Sequence, residues 1–295
     1  MKKLIGFIFF SLMQVSMYAQ DDLLSLVEDS TEGKKDFIKY AFKSPRVINS
    51  HSMEFLSPGT MDFRILHRFG TVNNTVKDLF GLDQASMRMG FDFGIRRNLM
   101  AGFGRSTFKK ELDGFIKFAP IMQSSGPHSF PVTIALVSGI TMHTLPWADP
   151  AVKNYFTSRL AYYHQVIIGR KWSETLTVQI SPTMVHHNIV PFSFQPNDIY
   201  SVGFGGRLKL SARVAFTWDY FYVLNGLQEN SNTHPLSLGF DIETGGHVFQ
   251  LHFSNTAGMN ERAFISETTG RWDKAEIRFG FNLSRVFQLK KKKGK

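Results

Sequence analysis

The chain has 295 residues, enough for one large β domain or two smaller ones, and no cysteine, which excludes disulfides, thiolate chemistry, Cys-ligated zinc and a lipid-bearing N-terminal Cys. Its aromatic share is 14%, with 29 Phe, yet mean hydropathy is only −0.13, and beyond the amino terminus no apolar run approaches the roughly 18 residues of a membrane helix. The formal charge of +10 is local: Lys2, Lys3 and the lysines from Lys290 to Lys295 hold most of it and leave +3 for the body, so a nucleic-acid partner is excluded.

Met1-Lys2-Lys3 is a short basic start, followed by the compact apolar run Leu4 to Leu12 and a small residue at Ala19. This predicts a secretory signal peptide over residues 1–19, too short to span a bilayer, with Gln20 as the mature start. Residues 20–58 read as an N-terminal periplasmic or lumenal segment. Asp21 to Phe42 is polar with scattered apolar positions, a short amphipathic helix or an irregular lead, and Val47 to Leu56 precedes the turn Ser57-Pro58-Gly59-Thr60.

From there to residue 287 the period is two. Met61 to Phe69 sets Met61, Phe63 and Ile65 against Asp62, Arg64 and Arg68. Ser86 to Arg105 is the clearest hairpin: Met87, Met89, Phe91, Phe93 and Ile95 oppose Arg88, Gly90, Asp92 and Gly94, and after Arg96-Arg97-Asn98 the alternation resumes at Leu99. Further strands are expected at Glu111–Met122, Pro131–Thr144, Thr157–Lys171, Thr175–His187, Ile199–Leu210, Val214–Leu224, Pro235–Glu243, His247–Asn255 and Lys274–Phe287. Pro131–Thr144 is the weakest, because Ala135, Val137 and Gly139 blur its polar face. The pattern gives twelve strands of about ten residues, the length of a tilted strand crossing a bilayer. Large side chains on one face, with glycine and charge on the other, invert a soluble sandwich and suit a barrel with grease outside.

Connection lengths sort the same way. Short turns fall at Arg96–Asn98, Trp172–Glu174, Ser211–Arg213 and Thr244–Gly246; long loops run Gly70–Ala85, Leu145–Phe156, Asn188–Asp198, Asn225–His234 and Thr256–Asp273. Ser106–Lys110 and Gln123–Phe130 depart from this rule. An even strand number puts both ends in the periplasm, so Val47–Leu56 belongs at the periplasmic mouth or inside the lumen. The fold expected is all-β: a single transmembrane antiparallel barrel of about twelve strands over 59–287, with a Lys-rich tail at 288–295.

The segments Phe42–Asn49, Asp62–Gly70, Leu79–Asp83, Gly205–Leu210, Glu243–Leu251 and Arg278–Phe287 together resemble an uncharacterised outer-membrane β-barrel family of the Bacteroidota, a domain of unknown function. The resemblance covers roughly Phe42 to Phe287 and implies an outer-membrane barrel; it carries no activity and no catalytic residues.

Gly203-Phe204-Gly205-Gly206 and Gly102-Phe103-Gly104 lie inside alternating strands and lack a full phosphate-loop pattern. His186-His187 point to opposite faces of a strand and cannot chelate one ion together. Ser50-His51-Ser52 holds hydrolase residue types, but as neighbours in an extended chain they diverge. No catalytic, cofactor-binding or metal residue is therefore expected, and the chain reads as a non-enzyme. The constellation of substance is inward charge: Arg64, Arg68, Arg88, Lys117, Arg159, Lys171, Arg207, Lys209 and Arg278 against Asp62, Asp92, Asp113, Asp219, Asp241, Glu243 and Glu276. Porin-like passage of small polar or anionic solutes is the first reading. A closed barrel that docks a partner through Gly70–Ala85 and Thr256–Asp273 is the second, and an outer-membrane enzyme a distant third. The partners expected are outer-membrane lipid and, during biogenesis, the barrel-assembly machinery.

Overall fold

A computed structural model of the chain describes residues 35–289, apart from 148–149, 152, 191–194, 228–231 and 245–246. The expected signal peptide, the lead from Asp21 to Lys34, the glycines of the Thr244–Gly246 turn and the lysines of the tail lie outside the described residues. Fourteen strands are described: β1 Asp36–Phe37, β2 Thr60–Thr71, β3 Ala85–Arg96, β4 Leu99–Ser106, β5 Glu111–Ile121, β6 Ser124–Ser125, β7 Thr133–His143, β8 Leu160–Lys171, β9 Leu176–His187, β10 Asp198–Lys209, β11 Val214–Val223, β12 Leu236–Thr244, β13 His247–Ser254 and β14 Arg278–Gln288. All but β1 and β6 form one closed antiparallel barrel of twelve strands. Its closure is the pairing of β14 with β2, from Arg278↔Thr71 to Gln288↔Thr60. Closure leaves no unpaired edge, the condition for a sheet to sit in hydrocarbon.

The period-two pattern becomes geometry directly. Along β2 burial alternates strictly, with Asp62, Arg64 and Arg68 enclosed while Phe63, Ile65 and Phe69 face outward. Outward rings stack across strands on the lipid side, Phe63 on Phe91 at 5.1 Å and Phe69 on Phe279 at 5.8 Å between centroids. One of the register interruptions in the wall lies between β8 and β9. The β8–β9 register is continuous to Gln165↔Thr183 and resumes at Ile168↔Ile180. The gap falls at Pro182, which has no N–H to give the ladder.

Two strand starts are corrected. The sixth barrel strand begins at Leu160, not Thr157, because Phe156–Arg159 is a 3-10 turn. The last begins at Arg278, not Lys274, because Trp272–Lys274 is another 3-10 turn and Ala275 takes a left-handed φ of 53°. The long connection Gln123–Phe130, irregular by the turn rule, contains β6, which pairs with β1 and ties the N-terminal lead to the short-turn end.

The lumen is filled. Phe42, Val47, Met53 and Leu56 of the N-terminal segment form one apolar cluster with Met100, Phe115, Ala135, Val137, Ile167 and Val185 of the wall. This explains the blurred face of β7: Ala135, Val137 and Gly139 point inward, but onto protein rather than water. Gly139 also makes room for Tyr163, since a Cβ there would stand 2.2 Å from that ring.

Candidate functional site: the filled lumen

Two insertions meet inside the barrel. The first enters from the short-turn end, the periplasmic end in outer-membrane barrels. Residues 41–56 rise into the lumen and fold back as a tight loop bridged at Arg46↔His51, with Val47 N donating to Ser50 O at 2.9 Å and Ser52 N to Pro45 O at 2.9 Å. The chain then leaves past Gly94, where a Cβ would stand 2.1 Å from Ser57 O, so only glycine lets it through. The second comes from the long-loop end: helix α1, Glu261–Ser266, whose start is capped by Asn260 accepting from Ala263 N at 2.9 Å.

The wall holds the first insertion by its backbone. Asp219 accepts from Asn49 N at 2.9 Å, Ser50 N at 2.8 Å and Ser50 Oγ at 2.8 Å. Gln179 takes Met53 N at 2.9 Å and donates to His51 O at 2.7 Å. Gln250 donates to Val47 O at 2.6 Å, Asn282 to Ile48 O at 3.0 Å and Lys117 to Glu54 O at 2.6 Å. Arg68 bridges Asn49 Oδ1 at 2.7 Å and Asn282 Oδ1 at 2.9 Å. Irregular backbone at membrane depth needs such partners, because no water replaces them.

The insertions touch each other through charge. Arg46 Nη1 lies 3.0 Å from Glu261 Oε1, both side chains fully enclosed, and His51 Nε2 lies 3.7 Å from the same oxygen and 3.3 Å from Tyr163 Oη. Arg262 donates to Glu111 on β5 and to Glu267, and Glu267 also accepts from Lys109 at 2.7 Å. Burial alone would raise the Glu267 carboxyl, but Arg262 and Lys109 outweigh it and bring it from the ordinary 4.5 down to about 2. Phe264 packs edge-on against Phe221, 5.0 Å between centroids. The cavity bounded by Ser44, Arg46, Arg64, Gln250, Asn282 and Ser284 measures about 10 Å³, room for about one water.

Of the charges the alternation points inward, ten are buried in the lumen: Asp62, Arg64, Arg68, Arg88, Asp92, Asp113, Lys117, Arg207, Asp219 and Asp241. Arg88 and Asp113 form a two-bond pair at 2.8 and 2.5 Å, and Arg64 pairs with Asp62 at 2.5 Å. Lys171, Lys209, Glu243 and Arg278 stand half-exposed at strand ends, where Lys171 pairs with Glu174 and Glu243 with Lys43. Two are placed off the strands. Arg159 lies in the 3-10 turn, donates to the carbonyls of His143 and Leu145, and covers the Trp147 ring at 3.9 Å. Glu276 sits in the loop before β14 and accepts from Arg271 N at 3.1 Å.

Arg46, Glu111, Glu261 and Arg262 are lumen residues absent from the inward set expected from the sequence, and His51 and Glu54 lie in Val47–Leu56, expected at the periplasmic mouth or inside the lumen. Glu111 was within reach, since it shares parity with Asp113 and Lys117 on one strand. The others lie outside the strands and leave no periodic signal. His186 is brought by strand register to Asp198, 2.6 Å away. Ser50 and His51 do diverge, to Asp219 and to Tyr163. Among the described residues no three His, Asp or Glu side chains are grouped to hold a metal ion.

A closed twelve-stranded barrel with a lipid-facing apolar wall and a protein-filled lumen is a membrane β-barrel, pointing to the outer membrane. Residues 42–287 match the family described as a membrane-bound beta barrel domain (DUF5777), and the chain belongs to that family. No relative is found among curated proteins. Among solved structures the chain is similar to the NanC porin, at 8% identity and a TM-score of 0.48, covering 77% of this chain and 98% of that one. It is also similar to Salmonella typhi OmpF in complex with daunomycin, at 8% identity, TM-score 0.39, 77% and 97% coverage. The translocator domain of the autotransporter NalP from Neisseria meningitidis matches at 13% identity, TM-score 0.34, 77% and 87% coverage.

Proposed function

We propose that the chain is a non-enzymatic, gated passage for small polar solutes, closed at rest by residues 41–56 and α1. The observation that carries this reading is the polar character of the contact between the first insertion and the wall. Asp219, Gln179, Gln250, Asn282, Arg68 and Lys117 all bind backbone or amide groups of that segment. Each such bond can be exchanged for water at a net cost of about 1 kcal/mol. The apolar part of the contact, Phe42, Val47, Met53 and Leu56 on the wall, is what holds the segment seated at rest, since its exposure on opening costs free energy in proportion to area. What departure uncovers is a wall of two parts, the apolar patch of Met100, Phe115, Ala135, Val137, Ile167 and Val185 and a polar remainder of both signs, with Arg64 and Arg88 already neutralised by Asp62 and Asp113. That wall supports solutes of either sign rather than a strong anion filter.

The test is planar-bilayer conductance of the full chain beside a variant lacking residues 41–56, and beside one that also lacks 259–267. The full chain is expected to be silent and the variants to conduct in stepwise increments. Shortened barrels that fold, shown by a gel shift on boiling, yet stay silent would overturn the passage and favour the docking reading. That second reading, docking through Gly70–Ala85 and Thr256–Asp273, draws on the same full lumen: a barrel that never opens still presents the first loop and the exposed end of the second, from residue 269 onward, to a partner.

A further inference from the structure

We infer that the short-turn end of the wall binds anionic phosphoglyceride headgroups of the periplasmic leaflet, through Arg97, Arg170 and Arg285. The alternation that turns Ile168 and Leu283 to lipid continues to Arg170 and Arg285, the next outward positions toward that end. On β14 the outward run Phe279, Phe281 and Leu283 is broken by Arg285, and Phe287, the next outward position, is the ring over which that guanidinium lies. Each of the three arginines lies over an aromatic ring: Arg97 over Phe37 at 4.7 Å, Arg170 over Trp172 at 4.2 Å and Arg285 over Phe287 at 5.0 Å. Stacking uses the face of a guanidinium and leaves edge N–H groups for a phosphate; on Arg170 these are the Nη groups, because its Nε is buried.

The charge around them is one-sided. Among the described residues Arg97, Arg170 and Arg285 form no ion pair, nor do Lys209 and Arg213 near them. Of the carboxylates at that end, Glu174 is taken by Lys171 at 2.8 Å and Glu243 by Lys43 at 2.6 Å, which leaves Asp36 as one carboxylate against the five unpaired cations. The loop end interleaves both signs, with Lys109 on Glu267, Arg271 on Asp273 and His186 beside Asp198. Exposed Trp172, Leu210 and Phe287 supply the apolar part of the belt. Arginine edges above an apolar belt select a lipid with net negative charge; a zwitterionic headgroup brings its own cation to a surface that is already positive. The inference is independent of the passage reading, since a lumen that never opens leaves this outer surface unchanged.

The test reconstitutes the full mature chain with dioleoyl phosphatidylglycerol and dioleoyl phosphatidylcholine in equal amounts and measures retained lipid by native mass spectrometry at low and high salt. The full chain is expected to retain phosphatidylglycerol in excess, by about fivefold per arginine, and less so in high salt. The variant R97Q/R170Q/R285Q is expected to lose that excess, and K77Q/R105Q, altered at the loop end, to keep it. An unchanged excess in the triple variant overturns the inference. So does equal loss in K77Q/R105Q, which would put the headgroup at the other end, or an excess indifferent to salt. If the triple variant does not fold, R170Q and R285Q are measured singly, and no loss in either overturns it as well.

Discussion

The wall and the segment that fills it are made of the same residue types, yet they follow opposite rules. In β3, Phe91 and Asp92 are neighbours that differ in everything the fold cares about, one turned to lipid and the other enclosed against Arg64 at 4.0 Å. In residues 41–56, the neighbours Arg46 and Val47 are both fully enclosed, so no alternation runs through the segment. A wall strand has two solvents, hydrocarbon and lumen, so its pattern is periodic. The inserted segment has one surrounding, the inside of the barrel, and each of its groups is satisfied singly by whichever wall residue stands opposite. Order in the wall is therefore collective, and order in the lumen is a set of individual contacts.

The largest effect that would break this comparison is on the wall. Removing residues 278–288 takes away the partner of both β13 and β2 and opens two edges, so no heat-modifiable barrel is expected, whereas removing 290–295 is expected to leave assembly intact. A closed barrel without β14 would mean that wall order is not collective.

Next is the buried pair joining the two insertions. Arg46→Met or Glu261→Leu alone leaves one enclosed group without its partner and is expected to cost about 3–5 kcal/mol of seating free energy. The double replacement R46M/E261L is expected to recover most of it. Protease protection of the N-terminal segment reads seating, and boiling shifts report the barrel. Losses that simply add in the double variant would show that the pair is not the contact between the insertions.

Smaller again is the facing test within one strand. Phe91→Arg is expected to destabilise the barrel by about 2–4 kcal/mol, as a cation on the lipid face does near mid-membrane. Asp92→Asn keeps the shape and is expected to matter much less. Urea-driven unfolding in lipid vesicles measures both, and the reverse ranking would put the wall inside out.

The smallest effect sharpens the lumen side by pH. Glu267 is held at about 2 in the folded chain against an ordinary 4.5, so its pairing with Arg262 and Lys109 stabilises the loop fully above pH 4.5. That contribution is lost as pH falls from 4.5 toward 2. Hydrogen exchange in residues 256–268, corrected for intrinsic rate, is expected to quicken across that window, and Glu267→Gln to remove the pH dependence. A flat profile in the unsubstituted chain would place the stability of this cap in Phe264 and its apolar neighbours instead.

The sequence by itself determined the wall: strand number, the turn and loop ends, and which side chain of each pair faces lipid. The physical reason is that membrane and lumen impose a two-residue period along every strand, and a period is visible in one dimension. It also marked most of the charges that end up enclosed, because parity alone places Arg88 beside Asp113's side of the wall. Only the tertiary structure decided that the lumen is full. The bonds from Asp219 to Asn49 and Ser50, and from Arg46 to Glu261, join residues some 170 to 215 positions apart. Such contacts follow no repeat; they exist because closing the wall brings distant side chains around one narrow space, where every backbone group of an inserted loop must find a partner.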